Sequence, residues 1–337
     1  MGENLSKIMI RTILNRGLRE MQDDPDRSIR KLVDMAATFA IGPFQKQFFR
    51  TAQQMLEVES SGYYRLVRNL VHNTAQERLI TFGMNIGYNG CTVGAGRIRR
   101  LEEKEGFNIP WSLSLEIYAD AFAQRESWYR SLIAQGEELG IFCWVLFPDR
   151  EPERLLDIIR DNPDSSFAII SPEGTDIRQL IEEGSDCKNL MVAIPYDDFA
   201  DCACDMLKES GMLYSLYFRY NADSAMDITE GVLFEQMECL DPAFCAMIPE
   251  RNCPENIQEQ VHQAVMTGRM SQKYHTVLWE YFRDSMLVDG VISEEACWVG
   301  LDGDGNFHGR YPHGCVTVPF QQEESLKELL RSAGGRT

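Results

Sequence analysis

Charged and polar side chains follow the apolar runs of this chain at points where a β/α protein places its ligand site. Two arginines among them could hold a ligand carboxylate, and the acids could hold an amine or a metal ion. The alternative interpretation is a solvated rim in which these charges neutralise one another. The candidate binding residues are Glu116, Asp149, Arg150, Glu151, Tyr196 and Arg219, and Glu173, Asp197, Asp198 and Asn221 belong to the same rim.

The ten cysteines show no spacing typical of a metal site. Cys202 and Cys204 are two positions apart, so on a helix they point to nearly opposite sides. Cys202 falls on an apolar stripe with Phe199 and Met206, and we expect it to be buried. Cys297 and Cys315 flank a predicted hairpin, and no cysteine follows them. The sequence therefore predicts no metal site and no catalytic residue that a motif would identify.

A second metal pattern also fails. Asp302, Asp304, Asn306 and His308 alternate like the start of a calcium loop, but Phe307 stands where that loop needs glycine and His313 where it needs glutamate. A polar hairpin turn is the better interpretation of this segment.

Composition restricts the class of partner. The chain has 337 residues, 33 of them basic and 52 acidic, which gives a net charge of −19. Such an acidic surface repels phosphate backbones and anionic lipid, so we exclude nucleic acid and membrane as main partners. The hydrophobic share of 44% is that of a globular protein, and no signal peptide is evident. We expect a cytoplasmic protein whose cysteines are mostly reduced and buried.

The order of the predicted elements favours an α/β fold. Residues 1–107 read as an N-terminal helical region, in which a glycine-rich segment at 83–96 indicates close backbone packing. Residues 108–290 alternate strands and helices, and residues 291–337 read as a hairpin plus a helix. The pattern predicts a partial (β/α)6 TIM-like barrel with these two extensions. The predicted strands are Trp111–Ile117, Ile141–Phe147, Phe167–Ser171, Leu190–Pro195, Leu213–Tyr220 and Phe244–Pro249.

Three later elements are predicted as helices. Ser224 caps a helix that we expect to run to Leu240, and Pro254 opens one that ends before Gly268. An apolar stripe over 274–282 predicts another helix.

Several segments together resemble a group of bacterial radical S-adenosylmethionine proteins. The resemblance covers nearly the whole chain and depends on no single diagnostic motif. The matching segments are Asp24–Asp26, Glu102–Trp111, Glu137–Gly140, Tyr217–Tyr220 and Leu301–Cys315.

The resemblance implies a partial β/α barrel and chemistry that this chain lacks the residues to perform. Members of that family carry Cys-x3-Cys-x2-Cys after the first strand, and the three thiolates hold a [4Fe–4S] cluster that cleaves S-adenosylmethionine. Here no cysteine lies between Cys91 and Cys143, and the loop is short. The family's Gly-Gly-Glu-Pro after the second strand is replaced by residues 149–152, Asp-Arg-Glu-Pro, which should block close approach of the cosubstrate.

We therefore predict a degenerate, bacterial radical-SAM-like pseudoenzyme without a cofactor. It would bind a small ligand, or a partner such as an active radical SAM paralogue. The alternative is an enzyme with a non-standard active site at the carboxyl ends of the strands, which would use either non-radical chemistry or an iron–sulfur cluster and S-adenosylmethionine held in an unusual way.

Overall fold

The structure, a computed structural model, describes residues 2–23, 25–38, 43–293, 295–319 and 325–334. The chain divides into two compact units. The first unit comprises Met1–Thr81 and Val192–Tyr281, and the second comprises Phe82–Met191 and Phe282–Thr337.

The α-helices of the described residues are α1 (Gly2–Asp23), α2 (Pro25–Thr38), α3 (Pro43–Met55), α4 (Gly62–Asn73), α5 (Gln76–Met84), α6 (Ala95–Glu105), α7 (Ala119–Leu139), α8 (Leu156–Asp161), α9 (Arg178–Glu183), α10 (Ala200–Glu209), α11 (Ala225–Thr229), α12 (Val232–Glu238), α13 (Glu255–Ser271), α14 (Tyr281–Ile292) and α15 (Leu326–Gly334). A π-helix covers Asn85–Gly94, and short 3₁₀ turns cover Pro152–Leu155 and Gly184–Asp186. The strands are β1 (Ser112–Ile117), β2 (Cys143–Pro148), β3 (Ser166–Ile170), β4 (Leu190–Pro195), β5 (Leu213–Tyr220), β6 (Phe244–Pro249), β7 (Val277–Glu280), β8 (Trp298–Leu301), β9 (Asn306–Tyr311) and β10 (Gly314–Pro319).

Strand β1 is central to the second unit. It pairs in parallel with β2 on one side and with β8 on the other, so Leu115 lies opposite Leu146 and Leu301. These three leucines are buried, as expected for a strand covered on both faces. On one side of β1 the sheet continues from β2 to β3. On the other side it continues from β8 to β9 and β10, which pair antiparallel as a meander.

The first unit joins a helical extension to parallel strands. Strands β5, β6 and β7 pair in parallel in that order, and Cys245 in β6 lies opposite both Leu216 and Leu278. The extension has its own small core of Met21, Ile29, Leu56 and Tyr64, with Leu32 and Val67 against it. Amphipathic spacing places Ile29 and Leu32 on one face of α2, and Tyr64 and Val67 on one face of α4.

The glycine-rich segment forms the π-helix and packs backbone against backbone. A Cβ added at Gly94 would collide with the carbonyl oxygen of Gly140, and one at Gly90 would lie 3.3 Å from Cys143 Sγ. Added Cβ atoms at Gly83, Gly87 and Gly96 would meet nothing within 4 Å. Close packing therefore explains two of these glycines.

The structure confirms the predicted α/β class, and each of the six predicted strands is present within a residue or two of its expected bounds. One element was predicted wrongly. The segment 274–282, predicted as a helix, contains β7 and the first residues of α14. Its apolar residues are so few that a buried short strand and a helix stripe look alike in sequence.

Two smaller predictions were also wrong. The helix expected from Ser224 to Leu240 is two helices, because Gly231 adopts a left-handed φ of 81° between them. Helix α13 does not end before Gly268 but continues to Ser271.

Two further predictions concern membrane contact and the boundaries of the three regions. Among the described residues, every helix falls short of the length and apolar character that a membrane crossing requires. The division into regions 1–107, 108–290 and 291–337 stays a prediction.

Candidate functional site

Asp149 organises the carboxyl ends of β1 and β2. Its backbone N–H donates to the Ile117 carbonyl at 3.0 Å, and its Oδ1 accepts a hydrogen bond from the Ala119 N–H at 2.8 Å. Ala119 is the first residue of α7, where an N–H group has no partner within its own helix. Asp149 therefore joins the end of β1 to the start of the helix that follows it.

The two residues after Asp149 are held by neighbouring charges. Arg150 pairs with Asp120, and this guanidinium lowers the pKa of the Asp120 carboxyl. Glu151 Oε2 lies 2.7 Å from Arg154 Nε, and the Glu151 backbone has a left-handed φ of 50° that usually favours glycine. The charges of Arg150 and Glu151 thus have partners from the chain itself.

Little space is left at this edge. The pocket between the ends of β1 and β2 has a volume of about 10 Å³ and is lined by Ile117, Phe122, Pro148, Arg150 and Leu155. A volume of roughly 10–15 Å³ holds one water molecule, whereas small-molecule pockets typically have about 300–1,000 Å³. In this conformation the pocket is too small for a cosubstrate.

The structure brings four of the six candidate binding residues together in the second unit. Glu116 is half-buried on β1, and Asp149, Arg150 and Glu151 are exposed after β2. Tyr196 and Arg219 belong to the first unit.

In the first unit, Tyr196 directly follows β4, and burial raises the pKa of its phenol. Arg219 is exposed near the end of β5, with its guanidinium carbon 5.8 Å from the centre of the Tyr217 ring.

Sequence analysis missed one buried pair at the carboxyl ends of the first unit's strands. Tyr220, the last residue of β5, donates a 2.9 Å hydrogen bond from its hydroxyl to Glu280 Oε1 at the end of β7. Both side chains are fully buried. Glu280 lies in the segment predicted as a helix, and only a correct strand assignment would have shown it to be near Tyr220.

Other polar residues lie near the same strand ends. Asn221 donates to Glu250 at 3.1 Å, and burial raises the pKa of the Cys253 thiol. The Tyr220 phenol and the Glu280 carboxyl group are in contact away from water, and groups of this kind can exchange a proton.

The cysteines do not match the donor set of a three-thiolate cluster. Within the described ranges, no group of three or more histidine, cysteine, aspartate or glutamate side chains is arranged to hold a metal ion. The residue between β1 and α7 is Tyr118, so no thiol stands where the family motif would place one. The residues present therefore do not fit the cluster that the family resemblance implies.

The structure corrects the prediction for Cys202. It is exposed, and Cys204 is buried instead. Helix α10 buries Ala200, Cys204 and Leu207, which recur at helical spacing on a face different from the predicted stripe.

The hairpin turn after β8 is polar, as predicted. Asp302 accepts hydrogen bonds from the Asn306 N–H at 2.8 Å and from His308 Nε2 at 2.8 Å. Burial would raise the pKa of Asp302, but these hydrogen bonds outweigh it and the pKa is lowered. The next residue, Gly303, packs against the Tyr118 ring, and its carbonyl accepts from Arg125 at 3.3 Å.

Known proteins resemble this chain in fold alone. No family model matches the sequence, and no curated protein matches it. Solved structures of SuiB, a radical SAM enzyme from Streptococcus suis, match at 10–11% identity.

The structure of SuiB with S-adenosylmethionine gives a TM-score of 0.49, covering 68% of this chain and 66% of SuiB. The structure with the precursor peptide SuiA gives 0.47, covering 68% and 67%. The chain thus spans about two thirds of the length of the structures that it matches.

The mixed α/β class with a large, mostly parallel sheet is as predicted, and closure of the strands into a partial barrel stays a prediction. The prediction of a protein without a cofactor is contradicted, because one of the similar structures contains S-adenosylmethionine. That prediction is withdrawn.

Proposed function

We propose that this chain is a radical-SAM-like protein that has lost radical chemistry and acts by binding a small ligand or a partner protein. The observation that carries the proposal is the junction of β1 with α7. Strand β1 ends at Ile117 and α7 begins at Ala119, so Tyr118 alone joins them. A loop that presents three thiolates to one cluster needs a longer segment of chain at this point.

The contacts around the junction support the same proposal. The N–H of Ala119 is bonded to Asp149, and Asp120 is paired with Arg150. Asp149 and Arg150 stand where the resemblance implies two glycines, and here their side chains connect β2 to α7. The space next to the strand ends is thereby filled by the chain itself.

Exposed apolar side chains near other strand ends support a role in binding a partner. Phe199 follows β4 and is 72% exposed, and Met226 lies on α11 after β5 and is 63% exposed. In the proposed contact these two side chains would be covered by the partner. The partner that we propose is an active radical SAM enzyme, beside which this chain acts as a companion.

Anaerobic reconstitution tests the loss of radical chemistry. The protein is incubated with iron, sulfide and a reductant, and then with S-adenosylmethionine, which is the first small ligand to titrate. We expect no formation of 5′-deoxyadenosine, whether or not S-adenosylmethionine binds. Cleavage at a rate that depends on the bound iron would overturn the proposal.

The Tyr220–Glu280 pair favours a second candidate function, an acid–base enzyme at the carboxyl ends of β5 and β7. In such an enzyme Glu280 would accept a proton and Tyr220 would hold the carboxylate in position, and because both side chains are fully buried, local opening of the strand ends would have to admit the substrate. Glu280→Gln keeps the hydrogen bond and removes the base. If the pair is catalytic, Glu280→Gln should keep the circular dichroism spectrum of the wild type and lose turnover of any substrate that the wild type converts. Unchanged turnover in this variant would exclude Glu280 as the base.

A further inference from the structure

A groove in the first unit is lined by residues of the helical extension and of segments that precede β6 and β7. It has a volume of about 420 Å³, within the roughly 300–1,000 Å³ of ordinary small-molecule sites. Its walls come from the start of α4, the end of α12 and the loop before β7. These segments precede β6 and β7, so the groove is at the amino ends of those strands.

Hydrogen-bond donors and positive charges line one side of the groove. Arg65 and Arg68 are exposed and three positions apart on α4, so both lie on the helix face that begins at Ser61. Ser60 and Ser61 stand at the amino end of the same helix, which favours negative charge, and the Ser61 hydroxyl caps the helix by accepting the Tyr63 N–H at 3.4 Å. Lys273 completes the set from the loop before β7.

We propose that this groove binds the anionic oxygen group of a small molecule, a phosphate or a carboxylate. Guanidinium groups, an ammonium group and hydroxyls are the side chains that recognise such groups. Their convergence is notable in a chain of net charge −19, most of whose surface repels anions.

Two acids also line the groove, one bonded to His275 and the other exposed to solvent. Glu238 Oε2 accepts the His275 backbone N–H at 2.9 Å and lies 2.7 Å from His275 Nδ1. Glu59 is exposed on the loop before α4. Asp241 does not line the groove but lies next to it; it accepts a 2.6 Å hydrogen bond from Asn69, and its carboxylate is 3.7 Å from Arg65.

The ion pairs of Lys273 and Arg65 are exposed to solvent, so an anionic ligand can replace them. Lys273 pairs with Glu235, and their side chains are 58% and 56% exposed. Arg65 is 57% exposed where it approaches Asp241. Exposed pairs of this kind contribute little to stability.

The His275 side chain is 9% exposed and belongs to the groove wall. Its Nε2 is buried and lies 3.4 Å from Asp241 Oδ1, so this histidine shapes the wall and is not itself a contact for the anion.

The two main walls of the groove are held in register by the backbone. The Gly62 N–H donates to the Gln272 carbonyl at 2.7 Å, and a Cβ at Gly62 would collide with the Tyr274 carbonyl oxygen. The start of α4 is therefore tied to the loop that carries Lys273 and His275. A groove whose walls are already in place loses little conformational entropy on binding.

Calorimetric titration of the full chain with inorganic phosphate and, separately, with citrate tests this site. We expect saturable binding of at least one of these anions, and the tighter one identifies the source of the anionic group. Arg68→Gln should weaken binding by about tenfold or more, because a charge-assisted hydrogen bond is lost.

Arg16→Gln is the matched control, since Arg16 is an exposed arginine on α1 that pairs with Glu20 at 2.8 Å and does not line the groove. It should bind the anion as the wild type does. Non-saturable heats with both anions, or equal affinities in Arg68→Gln and the wild type, would overturn the proposal. The site does not depend on the loss of radical chemistry, so either proposal can fail alone.

Discussion

The carboxylate of Asp149 lies 2.8 Å from the backbone nitrogen of Ala119 and accepts its hydrogen bond. The acceptor comes from the segment after β2 and the donor from the first residue of α7. A residue at which the family resemblance implies glycine is thus part of the structure that begins the next helix.

Replacing Asp149 should destabilise the protein without changing its fold. Asp149→Ala removes the acceptor for the Ala119 N–H, and loss of such a cap typically costs about 1 kcal/mol. Denaturant unfolding monitored by circular dichroism measures this change. Arg150→Gln is the control, and it should be indistinguishable from the wild type because its ion pair with Asp120 is exposed. Equal stability of Asp149→Ala and the wild type would show that the hydrogen bond contributes nothing.

Asp289 should make the stability of the protein depend on pH. It is buried on α14, where its carboxylate accepts the Trp111 N–H at 2.6 Å and the Cys297 N–H at 2.7 Å. Burial is the main cause that raises its pKa to about 7, and the nearby Glu102 adds to the effect. Between pH ~4 and 7 the folded protein therefore keeps a proton that the unfolded chain releases.

The sign of this dependence follows from the proton count. Since the unfolded state binds fewer protons in that window, the contribution of Asp289 to the free energy of unfolding falls as the pH rises, by a few kcal/mol in order of magnitude. Urea unfolding at a series of pH values measures it. Asp289→Asn should flatten the curve between pH ~4 and 7, and an unchanged slope in that variant would assign the dependence to other groups.

Gly94 and Gly87 provide a matched pair for the packing of the π-helix. Gly94→Ala should lower the free energy of unfolding by about 1–3 kcal/mol, because the new methyl group meets the Gly140 carbonyl. Gly87→Ala places its methyl group in open space and should be neutral or stabilising. Thermal unfolding of both variants tests this, and the reverse order would contradict the assigned contacts.

The Tyr220 hydroxyl should stabilise the folded state through its hydrogen bond to Glu280. Tyr220→Phe removes a donor from the buried Glu280 carboxylate and should cost about 1–3 kcal/mol. In Glu280→Gln the same deletion should cost less, because the acceptor is then neutral. A double-mutant cycle in denaturant measures the coupling. Zero coupling between Tyr220 and Glu280 would mean that the hydrogen bond is absent in solution.

Thiol chemistry checks the burial of the cysteines. Three cysteines are exposed, Cys202, Cys239 and Cys315, and the other seven are buried. Desolvation raises the pKa of the Cys204 thiol to about 12, which further slows its reaction. An aromatic disulfide reagent should therefore label three thiols quickly in the native protein and ten after unfolding. Fast labelling of Cys204 in place of Cys202 would reverse the assigned register of α10.

The sequence predicted the strands well because most of them are long, apolar and buried on both faces. Leu213–Tyr220 is such a strand, and its bounds were predicted correctly. Strand β7 was missed because it has only four residues before α14 begins. Without it, Glu280 could not be placed beside Tyr220.

The candidate binding residues lie at or near strand ends, and a role in binding a ligand stays a prediction for all six. Their partners within the chain could not be predicted. Arg150 was proposed as a ligand for a carboxylate, and in the structure that carboxylate is Asp120 of the same chain. The groove at the start of α4 was also missed, because its residues come from three segments far apart in sequence. Such pairings depend on how loops meet in space, which local periodicity does not determine.

The single residue between Ile117 and Ala119 bears on how this protein could evolve. Under the proposal made above, point substitutions alone would not restore a cluster-binding loop, since α7 begins one residue after β1 ends. On the proposed loss of radical chemistry, a return would need an insertion between Ile117 and Ala119 together with loss of the hydrogen bond from the Ala119 N–H to Asp149. Loss of this bond would lower stability before any benefit appeared, so the short connection would make the proposed loss hard to reverse.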